Sequence, residues 1–382
     1  MKNKTKILRI IHTLNPEFGG PQNAILDSSL ALRKKGFKVD IVTGDKKKSN
    51  FIKSKNIKIF NMGPSIGKYG FNIKFFFWLL NNKNKYDFFI VHGLWSFYTL
   101  VSRLLLYKRY FVFPHGQLDP YFGINLITKI KKKIYWILVE KRNLLSSKSL
   151  LLTTEEEKNL LSTTYVNTHL IKKKNVGYGI IQPKFNKIKV TKLFFNKFPL
   201  LKNNRFLLYL GRFHEKKGCD ILIHAIHKLK KKNININVLL AGPDNEYKNK
   251  IITLSNSLNL NKNIFWADTI LGDLKWGAIS ASSAMVLPSH GENFGVSLVE
   301  AMCCSKPVLT TSKVNIYRDI LNCKAGFVSQ NNSKSFSKII ERFIALNKKK
   351  NSEFAKRSFE CFEKNFNLYS KNNKLAIFLK NQ

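Results

Sequence analysis

Short apolar runs alternate along the chain with longer stretches in which apolar residues recur at helical spacing. Such runs are typical of buried strands, and the stretches between them are typical of helices that cover a sheet. Strands separated by helices form parallel sheets, so the pattern predicts an α/β fold. The predicted strands are residues 7–11, 39–43, 57–60, 88–91, 110–113 and 150–153, then 206–210, 238–241, 264–266, 285–287 and 308–310. The helices predicted in the first half are residues 22–35, 73–81, 97–107, 124–145 and 155–161.

A polar stretch rich in lysine and asparagine interrupts this alternation from about residue 172 to residue 204. It contains Gly177, Gly179 and Pro183, which are typical of a linker between domains. The chain of 382 residues is also longer than one hydrophobic core usually organises. We predict a first domain at 1–176, a linker at 177–204, a second domain at 205–365 and a C-terminal helix at 366–382 that packs back toward the first domain. Doubly wound domains bind ligands at the carboxyl ends of their strands.

The composition supports two packed cores, because 44% of the residues are hydrophobic and 13% are aromatic. It is also strongly basic, with 66 Lys and Arg against 23 Asp and Glu and a net charge of +43. Such a charge attracts polyanions, including nucleic acids, anionic lipids and phosphorylated substrates. A codon-usage bias toward lysine, asparagine and isoleucine would give the same excess without a functional role, and both explanations stay open.

Cysteine spacing and hydropathy predict the compartment. The apolar run at the N-terminus is broken by Arg9 and is too short for a signal peptide. No run approaches the ~20 apolar residues that span a bilayer. The cysteines fit neither a disulfide framework nor a metal site, and they are Cys219, Cys303, Cys304, Cys323 and Cys361. These features predict a cytoplasmic protein, either soluble or peripheral on the inner face of the cytoplasmic membrane.

A basic turn bounded by Gly211 and Gly218 follows the predicted strand at residues 206–210. Glycines at a strand-to-helix turn allow backbone amides to approach an anion at the helix N-terminus. Arg212 and Lys217 add two cations to this turn. A diphosphate requires this combination, since it departs only if its developing charge is stabilised. A solvated basic loop is the alternative, but the flanking strand and helix favour an anion site.

Two further turns end predicted strands of the second domain. Gly242 lies in Ala-Gly-Pro-Asp, a weak signal alone because such turns are common. Glu292 follows the predicted strand at residues 285–287. Glu300 lies eight residues later, and this spacing predicts that both carboxylates share one helix face. Two such carboxylates can accept hydrogen bonds from the hydroxyls of a sugar nucleotide, and Gly295 would let amides approach phosphate. Isolated glutamates usually lie on the surface, but Glu300 sits among apolar residues, where an unpaired carboxylate is costly.

The succession G-R-x4-K-G, A-G-P and P-S-x2-E-x-F-G-x4-E-A-M resembles the nucleotide-sugar-binding domain of family 4 glycosyltransferases, which have the GT-B fold. The resemblance covers roughly residues 206–311. It implies two Rossmann-like doubly wound parallel-sheet domains that face each other across a cleft. It also implies a retaining transferase that needs no metal or other cofactor and uses a UDP- or GDP-linked sugar.

Within this resemblance, Arg212 and Lys217 would bind the donor diphosphate. Glu300 would hold the ribose hydroxyls and Glu292 would contact the transferred sugar. The full set of donor-binding residues implied in this half is Gly211, Arg212, Lys217, Gly242, Glu292, Asn293, Phe294, Gly295 and Glu300.

The first half is similar to the acceptor domain of the same family. Gly19 and Gly20 follow the first predicted strand and match a glycine pair that lies against the donor phosphates. His115 matches the family's active-site histidine, so the implied catalytic residues are His115, Glu292, Arg212 and Lys217. The stretch around His115, Pro-His-Gly-x-Leu-Asp-Pro, resembles enzymes that build bacterial surface polysaccharide, which implies a glycan or lipid-diphosphate-linked acceptor. The acceptor-side candidates are His92, Asp119 and Glu155, although a structural histidine and a helix N-terminal charge also explain His92 and Glu155.

The mechanism implied by the family is displacement on one face of the sugar, because the sequence places no carboxylate as a nucleophile. The departing diphosphate accepts the proton of the acceptor hydroxyl, and the protein supplies positioning and charge stabilisation. No Asp-x-Asp motif ends a strand, which agrees with cations in place of a metal.

Residues 124–145 form the main candidate for a membrane contact. Their apolar stripe is Ile127, Ile130, Ile134, Ile137 and Leu138, and it is fringed by lysines at positions 129 and 131–133. A basic amphipathic helix can rest on an anionic membrane, but a helix packed on the sheet would show the same stripe. The apolar cluster at residues 75–78 favours the membrane interpretation.

Two other functional classes stay open. A nucleotide-sugar epimerase on the same fold would turn over its donor without a second sugar. A nucleic-acid-binding protein would suit the charge, but it requires basic residues interleaved with stacking aromatics or a known module, which we do not find. We therefore predict no nucleic-acid partner.

Overall fold

The computed structural model describes residues 4–15, 21–49, 51, 54, 56–119 and 126–382. The chain divides into two compact units. Unit 1 comprises Met1–Ile181 and Leu368–Gln382, and unit 2 comprises Gln182–Asn367. Unit 1 therefore contains the first half of the chain and also a short C-terminal segment, which follows unit 2 in the sequence.

Unit 1 is built on a seven-stranded sheet in which every pair of neighbouring strands is parallel. Its order is β3-β2-β1-β4-β5-β6-β7. The strands are β1 (Lys6–Ile11), β2 (Lys38–Lys46), β3 (Ile59–Gly63), β4 (Phe88–His92), β5 (Tyr110–Phe113), β6 (Ser149–Leu152) and β7 (Lys173–Asn175). The sequence did not predict β7, because Lys-Lys-Asn carries no apolar pattern and the strand pairs at the sheet edge through its backbone.

The helices of unit 1 begin at polar caps. Asn72, Ser96 and Thr154 each accept a hydrogen bond from an amide in the first turn of the helix that follows. The predicted helix at 124–145 is instead three pieces, since a π-helical turn at Trp136–Glu140 separates α4 from α5. The helices are α1 (Pro21–Lys34), α2 (Ile73–Asn82), α3 (Phe97–Leu105), α4 (Leu126–Tyr135), α5 (Lys141–Leu145) and α6 (Glu155–Thr164), with α15 (Lys374–Lys380) from the C-terminal segment.

The C-terminal segment completes the core of unit 1. Leu375, Ala376 and Leu379 of α15 pack in one buried cluster with side chains from β1, β2, β4, β5 and β6. The amide of Leu368 donates to the carbonyl of Ile180 at 3.1 Å, which fixes the point where the chain returns. Burial of each large apolar side chain contributes about 1.5–3 kcal/mol, so α15 is a structural part of unit 1.

Unit 2 has a six-stranded parallel sheet in the order β10-β9-β8-β11-β12-β13. Its strands are β8 (Phe206–Leu210), β9 (Asn237–Ala241), β10 (Ile264–Ala267), β11 (Ala284–Leu287), β12 (Val308–Thr311) and β13 (Gly326–Ser329). The sequence did not predict β13. Its first residue is a glycine because a Cβ there would lie 1.9 Å from the carbonyl oxygen of Val308, and glycine resembles a turn signal in sequence.

Part of the predicted linker is a packed helix of unit 2. Asn186 caps α7, and Val190 and Phe194 are buried on its inner face. The helix approaches α10 so closely that a Cβ at Gly277 would lie 2.1 Å from the carbonyl oxygen of Val190. The helices of this unit are α7 (Lys187–Lys197), α8 (Cys219–Lys230), α9 (Glu246–Ser257), α10 (Gly272–Ala281), α11 (Val296–Cys303), α12 (Tyr317–Cys323), α13 (Ser333–Ile344) and α14 (Lys348–Asn365).

Each sheet reverses its strand order at one point. In unit 1 the reversal lies between β1 and β4, and in unit 2 it lies between β8 and β11. Doubly wound sheets bind ligands beyond the carboxyl ends of the strands at such a reversal. The loops that follow these four strands are therefore the first places to look for function.

Candidate functional site

The loops after β8 and β11 are locked together by backbone contacts in unit 2. Gly218 adopts a left-handed φ of 68° at the start of α8. A Cβ at this position would lie 2.0 Å from the carbonyl oxygen of Pro288, so only glycine fits. The amide of His290 also donates to the carbonyl of Lys216 at 2.9 Å. The two loops predicted from the glycine-rich motifs thus form one continuous surface.

Lys217 and Glu292 form an ion pair across the strand-order reversal. Their side chains keep only 23% and 19% of their exposure. The backbone of Glu292 is held between residues of the loop after β12, since its amide donates to Lys313 and its carbonyl accepts from Asn315, both at 2.9 Å. Three neighbouring loops therefore fix this carboxylate, and they bring the predicted residues Lys217 and Glu292 together within unit 2.

The carboxylate of Glu292 stays charged. Burial alone would raise its pKa, but the charge and hydrogen bond of Lys217 lower the pKa below its ordinary value, with smaller contributions from Lys216 and Arg212. Arg212 is exposed, and its carbonyl accepts a hydrogen bond from the buried hydroxyl of Tyr209 at 2.9 Å. This edge therefore carries three cations around one carboxylate, an arrangement with capacity for a further anion.

Glu300 lies on α11 and pairs with Lys275 of α10 at 2.7 Å. The Lys275 ammonium also lies 4.3 Å from the ring centroid of Trp276, which stacks on Phe185. The prediction that Glu292 and Glu300 share a helix face is wrong, because α11 begins at Val296 and Glu292 precedes it. Each carboxylate has its own lysine, and the sequence did not reveal Lys275.

The other predicted donor-side residues have structural explanations. Gly295 starts α11 with a left-handed φ of 76° and no side chain caps this start, which leaves first-turn amides for another acceptor. Gly242 packs so close to Gly211 that a Cβ would lie 2.1 Å from the Gly211 carbonyl oxygen. Asn293 accepts a hydrogen bond from Asn315 at 3.4 Å. Phe294 is buried and packs edge-on against Phe366, so its ring is a core side chain.

A histidine that sequence reasoning missed, His290, lies two residues before Glu292. His290 Nε2 is 3.3 Å from Asp220 Oδ1 in the first turn of α8. The hydrogen bond to Asp220 raises the pKa of His290. Burial would raise the pKa of Asp220, but the hydrogen bond and charge of His290 lower it. The signal was available, because His290 and Asp220 lie within the same two motifs as Glu292 and Lys217.

The equivalent edge of unit 1 carries histidines. His92 ends β4 and His115 follows β5, and His92 Nδ1 is 2.8 Å from His115 Nε2. The ring of His115 stacks on Phe113 at a centroid distance of 4.5 Å and meets Tyr178 edge-on. Burial and Arg9 lower the pKa of His115 to about 3. The structure brings these two predicted residues together.

Residues 16–20, including the predicted Gly19 and Gly20, lie outside the described residues. The loop that leads to them is held by Asp45, which accepts hydrogen bonds from Thr13 Oγ1 at 2.5 Å and from the Leu14 amide at 2.8 Å. His12 follows β1 directly, and burial lowers its pKa despite the nearby charge of Asp45. Sequence reasoning did not single out His12, although it lies one residue beyond a strand at the order reversal.

Glu155 does not reach the His115 loop. It is exposed, pairs with Lys158 at 3.6 Å and accepts a hydrogen bond from Asn175. The carboxylate that reaches the loop is Glu157, which accepts from the Gly116 amide at 2.8 Å and from Thr153 at 2.7 Å. Asp119 closes the same loop through its amide, which donates to the Gly116 carbonyl at 3.1 Å. A Thr-x-x-Glu capping box at residues 154–157 was the signal for Glu157.

The described ranges contain no group of three or more His, Cys, Asp or Glu side chains that could hold a metal ion. Around Glu292, positive charge comes from Lys217, Lys216 and Arg212.

Residues 190–360 match the family described as glycosyl transferases group 1. This segment is similar to the glycosyltransferase domains of that family. It covers a little under half of the chain and includes the Lys217–Glu292 and Lys275–Glu300 pairs.

Curated relatives of the group 1 domain agree with the match. An uncharacterised glycosyltransferase of Methanocaldococcus jannaschii is 33% identical over 132 residues, which is 34% of this chain and 34% of the relative. The capsular polysaccharide biosynthesis glycosyltransferase CapM of Staphylococcus aureus is 27% identical over 151 residues, or 39% of each chain. The matched region spans about a third of the length of the first of these relatives.

Solved structures match nearly the whole chain. Sucrose-phosphate synthase from Thermosynechococcus elongatus covers 98% of both chains with a TM-score of 0.79 and 19% identity. HepE of Anabaena in complex with UDP-glucose covers 99% of this chain and 100% of its own, with a TM-score of 0.75 and 15% identity. The predicted fold class is confirmed, with two Rossmann-like doubly wound parallel sheets of the GT-B type.

Proposed function

We propose that the protein is a retaining, metal-independent glycosyltransferase of family 4. It transfers a sugar from a UDP- or GDP-linked donor to a glycan or lipid-diphosphate-linked acceptor in bacterial surface polysaccharide biosynthesis. The observation that carries the proposal is the Lys217–Glu292 pair, fixed at the strand-order reversal of a group 1 glycosyltransferase domain.

The proposed work of unit 2 is to stabilise the leaving diphosphate. As the bond between the anomeric carbon and the diphosphate oxygen breaks, its electron pair passes to that oxygen. Arg212, Lys217 and the uncapped start of α11 place positive charge where this negative charge develops. The acceptor hydroxyl forms the new bond on the same face of the sugar, and its proton passes to the departing diphosphate oxygen.

The proposed work of the two carboxylates is to accept hydrogen bonds from sugar hydroxyls. Glu292 remains ionised because of its cationic neighbours, so it is a permanent acceptor near neutral pH. Glu300 is assigned to the ribose, and its pairing with Lys275 holds the carboxylate in one orientation. Ionic hydrogen bonds of this kind contribute about 1.5–3 kcal/mol.

The relatives support the choice of substrates. HepE of Anabaena has been solved with UDP-glucose, which supports a nucleotide sugar as donor. The name of the Staphylococcus aureus relative refers to capsular polysaccharide, which supports a surface glycan as product.

A donor screen tests the proposal. A panel of UDP- and GDP-linked sugars is mixed with the full chain, and thermal stabilisation identifies the ligand, because a ligand at 100 times its Kd stabilises by about 2.7 kcal/mol. Transfer is then measured with that donor in excess chelator, and activity should be undiminished. Stabilisation by no nucleotide sugar, or strict dependence on added manganese or magnesium, contradicts the proposal.

We also propose that α4 rests on an anionic membrane surface. The apolar stripe, which runs from α4 into the π-helical turn, is exposed at Ile127, Ile130, Ile134, Ile137 and Leu138, Ile127 by 65%. Lys129, Lys131 and Lys133 are exposed on the same helix. A surface of exposed isoleucine with flanking lysine complements a bilayer of anionic lipid. No helix in the described part of the chain is long and apolar enough to cross a membrane.

Vesicle co-sedimentation tests the membrane contact. Each lysine near an anionic surface contributes about 1 kcal/mol, so a Lys129/Lys131/Lys133→Gln variant should lose most binding to anionic vesicles. Lys348/Lys349/Lys350→Gln, which removes three exposed lysines of unit 2, is the matched control and should bind normally. Binding that ignores vesicle charge, salt and the first variant overturns this part of the proposal.

A further inference from the structure

Arg9 is a buried cation whose hydrogen bonds fix its orientation within unit 1. It lies on β1 and keeps 2% of its exposure. Its Nη1 donates to the Ile25 carbonyl at 3.0 Å and to the hydroxyls of Ser28 and Ser29 on α1. Its Nε donates to His92 Nε2 at 3.0 Å. Because its Nε and Nη1 donate to four acceptors, the direction of this guanidinium is fixed.

This contact determines which nitrogens carry protons along the histidine chain. A guanidinium can only donate, so Nε2 of His92 must accept. A neutral imidazole has one N–H, which places the proton of His92 on Nδ1. Nδ1 lies 2.8 Å from His115 Nε2 and donates to it. The proton of a neutral His115 is therefore on Nδ1.

Burial, reinforced by the charge of Arg9, keeps both imidazoles neutral. Burial, Arg9 and His115 lower the pKa of His92 well below its ordinary value. Burial and Arg9 lower the pKa of His115 to about 3. Burial lowers the pKa of Arg9 to about 9, which still leaves it charged at neutral pH.

The remaining titratable neighbour of His115 is Tyr178. Its ring packs edge-on to His115 at a centroid distance of 5.8 Å. Burial raises the pKa of Tyr178, and Asp27 raises it further while Arg9 opposes this, so the phenol is neutral. Phe113 stacks on the ring of His115 and covers one of its faces.

The backbone holds the ring in this position. His115 has a left-handed φ of 51°, and the next amide, that of Gly116, is tied to Glu157. The ring is half-buried, and the described part of the chain offers no acceptor for Nδ1. One N–H of known direction is thus left for a ligand.

We infer that Arg9 and His92 are positioning residues that fix His115 as a neutral hydrogen-bond donor for a ligand oxygen at this edge of unit 1. His115 then does not act as a general base. Only the identity of the ligand rests on the proposed function, since the proton positions follow from the Arg9–His92–His115 contacts themselves.

Long-range ¹H–¹⁵N spectra of the full chain with ¹⁵N-labelled histidine test the inference without any substrate. In the wild type, His92 and His115 should both show the Nδ1–H form, with no titration between about pH 5 and 8. The His115→Gln variant assigns its signals. An Nε2–H form of His115, or a midpoint near the ordinary value of about 6.5, overturns the inference.

Substitution of Arg9 gives the second readout. In Arg9→Met, His92 Nε2 loses its obligate donor, so His115 should become a mixture of its Nδ1–H and Nε2–H forms, and its pKa should rise above about 3 while burial still keeps it below the ordinary value. Ser29→Ala removes a contact of Nη1 but keeps the bond from Nε to His92, and its spectrum should match the wild type. An unchanged His115 in folded Arg9→Met contradicts the role of Arg9. If Arg9→Met does not fold, the wild-type spectrum still tests the inference, because it shows which nitrogen of His115 carries the proton.

Kinetics separate this inference from the proposed function. If the donor screen yields turnover, kcat of the wild type should be flat through about pH 6.5, and any acid limb that His115 causes should move to higher pH in Arg9→Met. A kcat limb near pH 6.5 that disappears in His115→Gln would overturn the donor role. Failure to find any donor would contradict the proposed function and leave the spectra unaffected.

Discussion

The two units share a topology but differ in the electrostatics of the edge where their strand order reverses. In unit 2, the edge carries the Lys217–Glu292 ion pair and a hydrogen bond between His290 and Asp220. In unit 1, the rings of His92 and His115 are neutral, and Arg9, which donates to His92, is buried. The same backbone arrangement thus presents charge in one unit and uncharged donors in the other.

The sheet topology thus sets where a ligand can bind, whereas a few buried contacts set the chemical class of ligand that fits there. Partly exposed cations suit a diphosphate, whose charge grows as it leaves. Neutral N–H groups suit hydroxyl or carbonyl oxygens, because they donate without attracting an anion.

The largest effect is expected from loss of the exposed cations of unit 2. Lys217→Ala and Arg212→Ala should each reduce kcat/KM by about 2–4 kcal/mol of transition-state stabilisation, because each removes a charge that faces the leaving group. Steady-state kinetics with the donor from the screen measures this. Lys232→Ala is the matched control, since it breaks an exposed pair with Glu341 that is worth less than about 1 kcal/mol. Wild-type turnover in both test variants would remove the basis of the contrast.

The next effect concerns Glu157 of unit 1, whose carboxylate accepts hydrogen bonds from backbone amides. Glu157→Ala should lower the free energy of unfolding by about 3 kcal/mol, because it strands the Gly116 amide and both donors of Thr153. Glu155→Ala removes an exposed carboxylate from the same helical turn and should cost less than about 1 kcal/mol. Chemical denaturation of both variants measures this, and equal losses would contradict the assignment of Glu157.

A smaller effect divides the two carboxylates of unit 2. Glu300→Gln should weaken binding of the free nucleotide diphosphate by about 1.5–3 kcal/mol, because ribose contacts exist with or without the sugar. Glu292→Gln should spare nucleotide binding and depress transfer, since it also frees Lys217 for phosphate. Calorimetry with the free nucleotide measures both, and equal losses would show that the roles are not divided.

The effect that is smallest near neutral pH is a pair of opposite pH dependences. The lowered pKa of His115 makes the unfolded chain bind more protons, so stability falls as pH decreases from about 6.5 toward about 3. The raised pKa of His290 contributes stability below about pH 6.5 that is lost as pH rises through the folded pKa. Denaturation midpoints across this range should flatten on the acid side in His115→Gln and on the alkaline side in His290→Gln. A shared direction in the two variants would contradict the contrast.

Much of the fold was predictable because buried parallel strands leave continuous apolar runs. Strands β7 and β13 were not predictable from the sequence. Strand β7 has no apolar pattern and pairs through its backbone, and β13 begins with a glycine because the Val308 carbonyl leaves no room for a Cβ. The basic turn and its glutamate were visible because glycines mark the close approach of two loops. Arg9 appeared only as an interruption of an apolar run, and Lys275 as one lysine among many. Their roles depend on tertiary partners that no local pattern encodes.

The return of the chain to unit 1 has a consequence for the order of synthesis. A ribosome adds about 5–20 residues per second, so the 186 residues of Gln182–Asn367 occupy roughly 10–40 seconds between the last strand of unit 1 and its closing helix. During that interval one face of the nascent sheet lacks Leu375, Ala376 and Leu379. Unit 2 can fold on emergence, whereas unit 1 must wait with an open apolar surface that a chaperone could cover. Truncation of the chain after Asn367 should therefore destabilise unit 1, although most of this unit is translated first.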